Sequence, residues 1–293
     1  MRIPRKAIPL VLILPAYAMI GLVLVYPLVL GFYFSFTNAE LGRRAADNSL
    51  IFQYIGLGNF QRAVEDPALA KSILNTFLYG LGTIVGNLLI GLGGAIVLSQ
   101  NIRFRNAFRA LALLPWVIPS VVTAVVWLWL WNPSFGVIPW FVSAIGLSDT
   151  FIPFLSQSAT ALPAVTITNV WRTFPVMLIV VLAGLQTLPQ EQIEAAMIDG
   201  ASKLRRFRYI TMPHLRQYIG IAMLLQFMWS FQFPITIWIM TRGYPAWATT
   251  TIGIYAYRVA FEFGQFAYEC AIGVVWFVIL MVVALLYSGL VRE

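Results

Sequence analysis

Few side chains in this 293-residue sequence are of the types that perform covalent catalysis or bind metals. The single cysteine, Cys270, excludes an internal disulfide and a multi-cysteine metal site. His214 is the sole histidine and stands beside Pro213 in a polar loop, where a surface or interface role outweighs catalysis. No lysine follows a glycine, so the phosphate-binding sequence GxxxxGK[ST] is absent. We therefore predict no catalytic residue, no metal site and no cofactor bound by this chain.

Arg172 is the side chain with the strongest binding potential. It is the only charge between Asp149 and Glu191, in an otherwise apolar stretch. A guanidinium in such a place normally faces a cavity or an opposite charge. It predicts either a ligand site, in which its planar fork binds hydroxyls or an anion, or an ion pair with an acidic residue of another helix or of a partner chain.

Several uncharged polar residues stand at similar positions in apolar stretches, together with an aromatic one: Asn169, Thr173, Gln226, Ser230, Gln232 and Phe233. Amide side chains beside aromatic faces suit the binding of sugar rings. The same polar groups could instead join helices by hydrogen bonds within a membrane. Both interpretations remain open from the sequence.

The elements that must position these residues are membrane-spanning helices. Hydrophobic residues make up 60% of the chain and charged residues 10%, which leaves too little polar surface for a soluble domain. Because about 20 apolar residues cross a bilayer as a helix, the charge-poor runs predict six spans, near residues 8–36, 73–98, 110–131, 161–185, 218–240 and 270–291. The predicted fold class is an all-α membrane protein.

The basic residues predict the orientation of these spans. Six spans place both termini on one side, and 12 of the 19 Lys and Arg residues fall on that side. Cytoplasmic loops collect Lys and Arg, so both termini are expected in the cytoplasm. The net charge of +8 then reflects membrane orientation, and no nucleic-acid partner is expected.

A polar loop at residues 187–213 follows the fourth predicted span. Thr187 and Gln190 predict a capping box at the start of a short helix, and Gly200 predicts a left-handed helix end. A second helical stretch is expected from Ala201 to Ile210, before a break at Pro213. The physical pattern alone also fits an amphipathic hairpin that lies on anionic lipid.

Nine residues of this loop form a recognisable set: Glu194, Ala195, Ala196, Asp199, Gly200, Ala201, Phe207, Ile210 and Pro213. The set resembles the EAA loop of inner-membrane permease subunits of binding-protein-dependent ABC importers. Leu14-Pro15-Ala16, Gly56-Leu57-Gly58-Asn59-Phe60 and Leu114-Pro115-Trp116 resemble the carbohydrate-uptake branch, of the maltose and glycerol-phosphate type. Met212 and Gln217 depart from its usual pattern.

The resemblance implies one permease domain over residues 1–293 in a bacterial or archaeal inner membrane. Its coupling helix, made of the nine residues, would dock on an ATPase subunit. The implied partners are a second six-span permease, two copies of that ATPase subunit with its ATP and Mg²⁺, an extracytoplasmic solute-binding protein, and membrane lipid. Arg172 and the polar residues named with it would line the pathway of a sugar or sugar-derived solute, moved by alternating access.

Two other functional classes compete with this hypothesis. An ion-coupled secondary transporter would need acidic groups within its spans, and only Glu269 lies near one. A purely structural membrane subunit would not explain the resemblance of the loop. Within the permease class, a non-sugar solute such as glycerol phosphate is the alternative to a sugar.

Overall fold

The computed structural model describes residues 8–40, 52–148, 150, 152–230 and 234–291. Within these ranges the chain is helical apart from turns, connecting segments and one isolated bridge between Thr37 and Tyr54. This agrees with the predicted all-α class.

The α-helices of the described ranges are α1 (Ile8–Ile20), α2 (Tyr26–Phe34), α3 (Gly58–Glu65), α4 (Pro67–Ser99), α5 (Arg105–Val117), α6 (Ser120–Leu130), α7 (Val137–Ala144), α8 (Ser158–Gln186), α9 (Gln190–Ile198), α10 (Lys203–Arg206), α11 (Met212–Ser230), α12 (Ile235–Met240), α13 (Ile252–Tyr257) and α14 (Phe266–Val291). Three π-helical segments, Gly21–Val25, Phe207–Thr211 and Arg258–Glu262, connect α1 to α2 and α10 to α11, and follow α13.

Four of the predicted spans correspond to helices that are long and apolar enough to cross a membrane. In the described residues these helices are Leu12–Phe34, Pro67–Ser99, Ser158–Gln186 and Phe266–Leu285. They match the predictions at 8–36, 73–98, 161–185 and 270–291. The number rises to five if α5 and α6 together make one broken span.

The third predicted span, 110–131, is wrong as a single straight helix. The chain bends by 95° between α5 and α6. Ile118 is extended at φ −65° and ψ 130°, and Pro119 precedes α6. A proline disfavours helical geometry in the residue before it and cannot donate a backbone hydrogen bond. The sequence Pro-Trp-Val-Ile-Pro therefore produces a break that the apolar run concealed.

The fifth predicted span, 218–240, is also not a continuous helix. Helix α11 begins earlier, at Met212, and ends at Ser230, and α12 starts at Ile235 after Pro234. Neither of these two helices is among the candidate spans of the described residues. The proline again explains why an apolar run does not continue as one helix.

The chain divides into two compact units. The first comprises the described residues up to Ala70 and from Tyr255 onward, and the second comprises Lys71–Ile254.

A half-buried carboxylate, that of Asp66, organises the first unit. The hydroxyls of Tyr255 and Tyr268 both donate to Asp66, which also accepts two backbone N–H groups from the first turn of α4. Burial alone would raise the pKa of Asp66, but these hydrogen bonds outweigh it and hold that pKa below its usual value. Arg62 lies 3.9 Å from the ring centroid of Tyr268 and bonds Gln265 at 2.7 Å. The carboxylate thus joins segments distant in sequence.

The second unit contains most of α4 packed along α8. Four glycines of α4 face α8: Gly82, Gly86, Gly91 and Gly94. A Cβ at Gly86 would stand 2.6 Å from Val170, and one at Gly91 would stand 2.7 Å from Met177 Cβ. Small residues at such positions permit close approach of two membrane helices. Helix α8 also contains two interior prolines, Pro163 and Pro175.

The glycines of α4 provide a matched test of this packing. Gly91→Ala is expected to destabilise the protein by about 1–3 kcal/mol, because its methyl group would meet Met177 Cβ and the backbone N of Leu178. Gly93→Ala, two residues away, meets nothing within 4 Å and improves helix propensity, so it should be neutral or stabilising. Thermal unfolding of the detergent-solubilised protein measures both, and equal midpoints would contradict the close approach.

Candidate functional site

A cavity of about 310 Å³ lies within the second unit. Its lining residues come from α4, α5, α6, α8, α11 and α12 and the residue preceding α12: Tyr79, Thr83, Trp116, Ser120, Asn169, Arg172, Thr173, Gln226, Trp229, Pro234, Ile235 and Thr236. Its volume is within the usual range for small-molecule sites. The lining combines aromatic faces with amide, hydroxyl and guanidinium groups, and its described residues include no carboxylate.

Arg172 is the single charged residue among the described residues of this lining. Its Nε atom is buried and has no hydrogen-bond partner among the described residues. No carboxylate of that same part of the chain lies within ion-pair distance of the guanidinium. An ion pair inside the described residues is therefore not formed, and the guanidinium is available to a ligand or to a residue of another chain.

The amide and hydroxyl residues predicted for this site both line the cavity and connect helices. Asn87 Nδ2 on α4 donates to Thr173 Oγ1 on α8 at 2.8 Å and to Gln226 Oε1 on α11 at 2.9 Å. Asn169 Nδ2 donates to Thr83 Oγ1 at 3.2 Å. The two interpretations of these residues are thus compatible, because buried amides that hold the helices in place also face the cavity.

The structure describes three other predicted site residues only in part or not at all. Ser230 is the last residue of α11, and its side chain lies outside the described part of the structure. Gln232 and Phe233 lie outside the described residues altogether. Sequence reasoning missed Tyr79, Thr83 and Asn87 on α4, although two polar side chains within an apolar span were a usable signal.

The loop at 187–213 contains the predicted short helix, α9. Gly200 follows it with φ +74°, its N–H bonds Met197 O, and Ala201 N–H bonds Ala196 O at 2.9 Å. These two bonds form the Schellman arrangement, in which a left-handed residue satisfies the last carbonyls of a helix. The prediction that Gly200 ends this helix is confirmed.

Two other predictions for the loop are wrong. Thr187 caps no helix start: its hydroxyl donates back to Gly184 O at 2.9 Å, and α9 begins after Pro189 without a side-chain cap. Pro213 ends no helix: it lies in the first turn of α11, directly after the π segment Phe207–Thr211. Helical geometry continues from Lys203 through Pro213, and the wider π turn before the proline gives its ring room.

The loop is largely uncovered. Helix α9 has no buried residue, and Ile198 and Leu204 are 87% and 76% exposed. The nine residues of the predicted coupling set occupy α9, its Schellman turn, the π segment and the first turn of α11. Exposed apolar side chains beside Lys203 and Arg205 make this a surface suited to a protein partner.

The comparison with protein families decides between the classes considered above. The family model described as "Binding-protein-dependent transport system inner membrane component" matches residues 87–292. The chain belongs to this family. It is therefore the inner-membrane permease component of a binding-protein-dependent ABC importer, as the loop's resemblance indicated, and not an ion-coupled secondary transporter.

Relatives of this permease include proteins with named substrates. It is 31% identical to the trehalose/maltose transport system permease protein MalF of Thermococcus litoralis, over 80% of this chain and 78% of that protein. It is 30% identical to the sulfoquinovosyl glycerol transport system permease protein SmoG of Agrobacterium fabrum, over 98% and 91% of the two chains.

A solved structure shares the fold. A chain of a bacterial ABC transporter involved in the import of the acidic polysaccharide alginate matches the permease with a TM-score of 0.80 at 20% identity, over 98% of this chain and 96% of the other. At this identity, the likeness describes the fold of the permease and not its substrate.

Proposed function

We propose that this permease forms half of the translocation pathway for a sugar or sugar-derived solute and works by alternating access. The cavity beside Arg172 carries the proposal, since its amides, hydroxyls and exposed Trp116 and Trp229 rings suit a polyhydroxylated ring. The substrates after which the MalF and SmoG transport systems are named support a sugar or a sugar derivative.

The proposed topology has six spans with both termini in the cytoplasm. The four long apolar helices would supply four spans, and the broken pairs α5–α6 and α11–α12 would supply the third and the fifth. Non-helical breaks at membrane depth are tolerated where they are buried in protein or line a cavity. This topology treats residues 1–293 as one permease domain of a bacterial or archaeal inner membrane.

The loop between α8 and α11 is proposed to dock on an ATPase subunit. The nine residues of the predicted coupling set would form the coupling surface, supported by the exposure of α9. ATP and Mg²⁺ would be held by two copies of that subunit. A second six-span permease would complete the pathway, and a solute-binding protein would deliver the solute from outside.

Arg172 favours a second candidate class of transported solute, an anionic one. A guanidinium without an internal carboxylate partner suits a phosphate, sulfonate or carboxylate group, which its planar fork binds through two hydrogen bonds. The rival role is an ion pair with an acidic residue of the second permease.

Reconstitution of the whole importer tests the function. The permease, purified with its ATPase and second permease and placed in vesicles with the binding protein, is expected to hydrolyse MgATP faster when the correct solute is present. Maltose, trehalose, glycerol 3-phosphate and a sulfonated sugar cover the neutral and anionic classes. Uptake driven by an ion gradient without any ATPase would contradict the proposal.

A further inference from the structure

A small hydrogen-bonded cluster closes the base of the exposed loop. It consists of Gly184 and Thr187 at the end of α8 and His214 and Tyr218 at the start of α11, and we call it the basal clasp. Thr187 Oγ1 lies 2.8 Å from the Tyr218 hydroxyl and 3.1 Å from His214 Nε2. His214 Nε2 also lies 3.1 Å from Gly184 O.

Bonding partners fix the direction of these hydrogen bonds. A backbone carbonyl only accepts, so His214 donates from Nε2 to Gly184 O. The Thr187 hydroxyl also donates to Gly184 O, at 2.9 Å. The Tyr218 hydroxyl must then donate to Thr187 Oγ1. Each side chain therefore has a defined donor or acceptor role, and α11 contributes two donors to the end of α8.

Packing strengthens the same contact. A Cβ at Gly184 would stand 2.7 Å from the Tyr218 ring, so only a glycine permits this approach. Leu215, between the two clasp residues of α11, is fully buried. Both ends of the segment from Leu188 to Pro213 are therefore held by one tightly packed contact, whereas α9 within that segment has no buried residue.

The clasp joins two of the helices that carry polar residues of the cavity lining. Helix α8 holds Asn169, Arg172 and Thr173, and α11 holds Gln226. Thr187 is 15 residues from Arg172, which is about 22 Å along a helix. A displacement of α9 reaches the cavity only if the base of the loop moves together with both helices.

We infer that the basal clasp is a positioning device that transmits the movement of α9 to α8 and α11 as one body. This rests on the proposed function, in which an ATPase moves α9. With the clasp intact, a push on the loop displaces both helices. Without its hydrogen bonds, the loop would shift on its own and the cavity would respond weakly.

The test follows accessibility of the cavity and needs no identified solute. Ser120→Cys places a reporter thiol in the lining, and its alkylation by a maleimide is timed in the reconstituted importer with and without MgATP. Thr187→Val and Tyr218→Phe each remove hydroxyl bonds and keep most of the packing. Each is expected to shrink the MgATP-dependent change in alkylation rate about threefold to tenfold, the equivalent of one hydrogen bond, while MgATP hydrolysis persists.

Two further variants keep the inference falsifiable. Thr187→Ser keeps the hydroxyl and should retain the MgATP response, and Gln217→Ala, an exposed neighbour on α11, should leave it unchanged. A wild-type response in both Thr187→Val and Tyr218→Phe, or a lowered thermal midpoint as their sole effect, would overturn the clasp. Absence of any MgATP response in the unsubstituted protein would instead contradict the proposed function.

Discussion

Replacing Gly200 with valine is expected to separate ATP hydrolysis from solute uptake. Gly200 has φ +74°, a left-handed conformation that costs an ordinary residue about 1–2 kcal/mol and a β-branched one more. The Schellman turn would rearrange to relieve this strain. A difference of about 2 kcal/mol changes the ratio of the rearranged to the native turn roughly thirtyfold. The surface that α9 presents to the ATPase would then be displaced.

The measurement is solute transported per ATP hydrolysed in reconstituted vesicles, which should fall about tenfold or more. Gly200→Asn is the matched control, because asparagine tolerates the left-handed region and is expected to retain most of the coupling. Steric conflict cannot explain a difference, since a Cβ at Gly200 meets nothing within 4 Å. Normal coupling in the valine variant would remove α9 from the proposed mechanism.

Replacing Arg172 with glutamine is expected to abolish most uptake of the solute that the reconstitution screen identifies. Hydrogen bonds to a charged group contribute about 1.5–3 kcal/mol, so the apparent affinity should fall about tenfold to a hundredfold. Solute-stimulated ATP hydrolysis and uptake, measured over a range of solute concentrations, report this loss. An anionic solute should suffer more than a neutral one.

Two controls separate the possible roles of Arg172. Arg172→Lys keeps the charge without the planar fork, so it should restore part of the affinity only. Arg103→Gln removes an exposed positive charge and should leave uptake unchanged. If Arg172→Gln lowers the thermal midpoint of the assembled importer but leaves the solute affinity intact, the guanidinium pairs with the second permease instead.

The sequence predicted the helices whose apolar runs contain no internal conflict. Helix α4 has an uninterrupted run, whereas the α5–α6 bend arose because Pro119 constrains Ile118, an effect that hydrophobicity does not measure. The end of α9 at Gly200 could be predicted because a residue without a Cβ adopts the left-handed conformation readily. The role of Thr187 could not, because its hydroxyl donates to Gly184 O at the end of the preceding helix and accepts no backbone N–H of the following helix.

Part of the cavity could be predicted because one of its residues differs sharply from its neighbours in the sequence. Arg172 stood out as a lone charge in an apolar stretch, and its placement in the lining followed. Whether the amides bind a ligand or join helices could not be read from residue type, since each has a donor and an acceptor for separate partners. Asn87, from a different helix, brings Thr173 and Gln226 together, and this contact depends on the tertiary structure.

Pro175 removes one backbone hydrogen bond from the middle of α8. It lies three residues beyond Arg172 and on the way to Thr187, and without an N–H it leaves the carbonyl of Trp171 lacking the usual helical donor. A bend of α8 is expected at this turn more readily than elsewhere in the helix. The angle of α8 at Pro175 would then set how much of a displacement of Thr187 reaches Arg172.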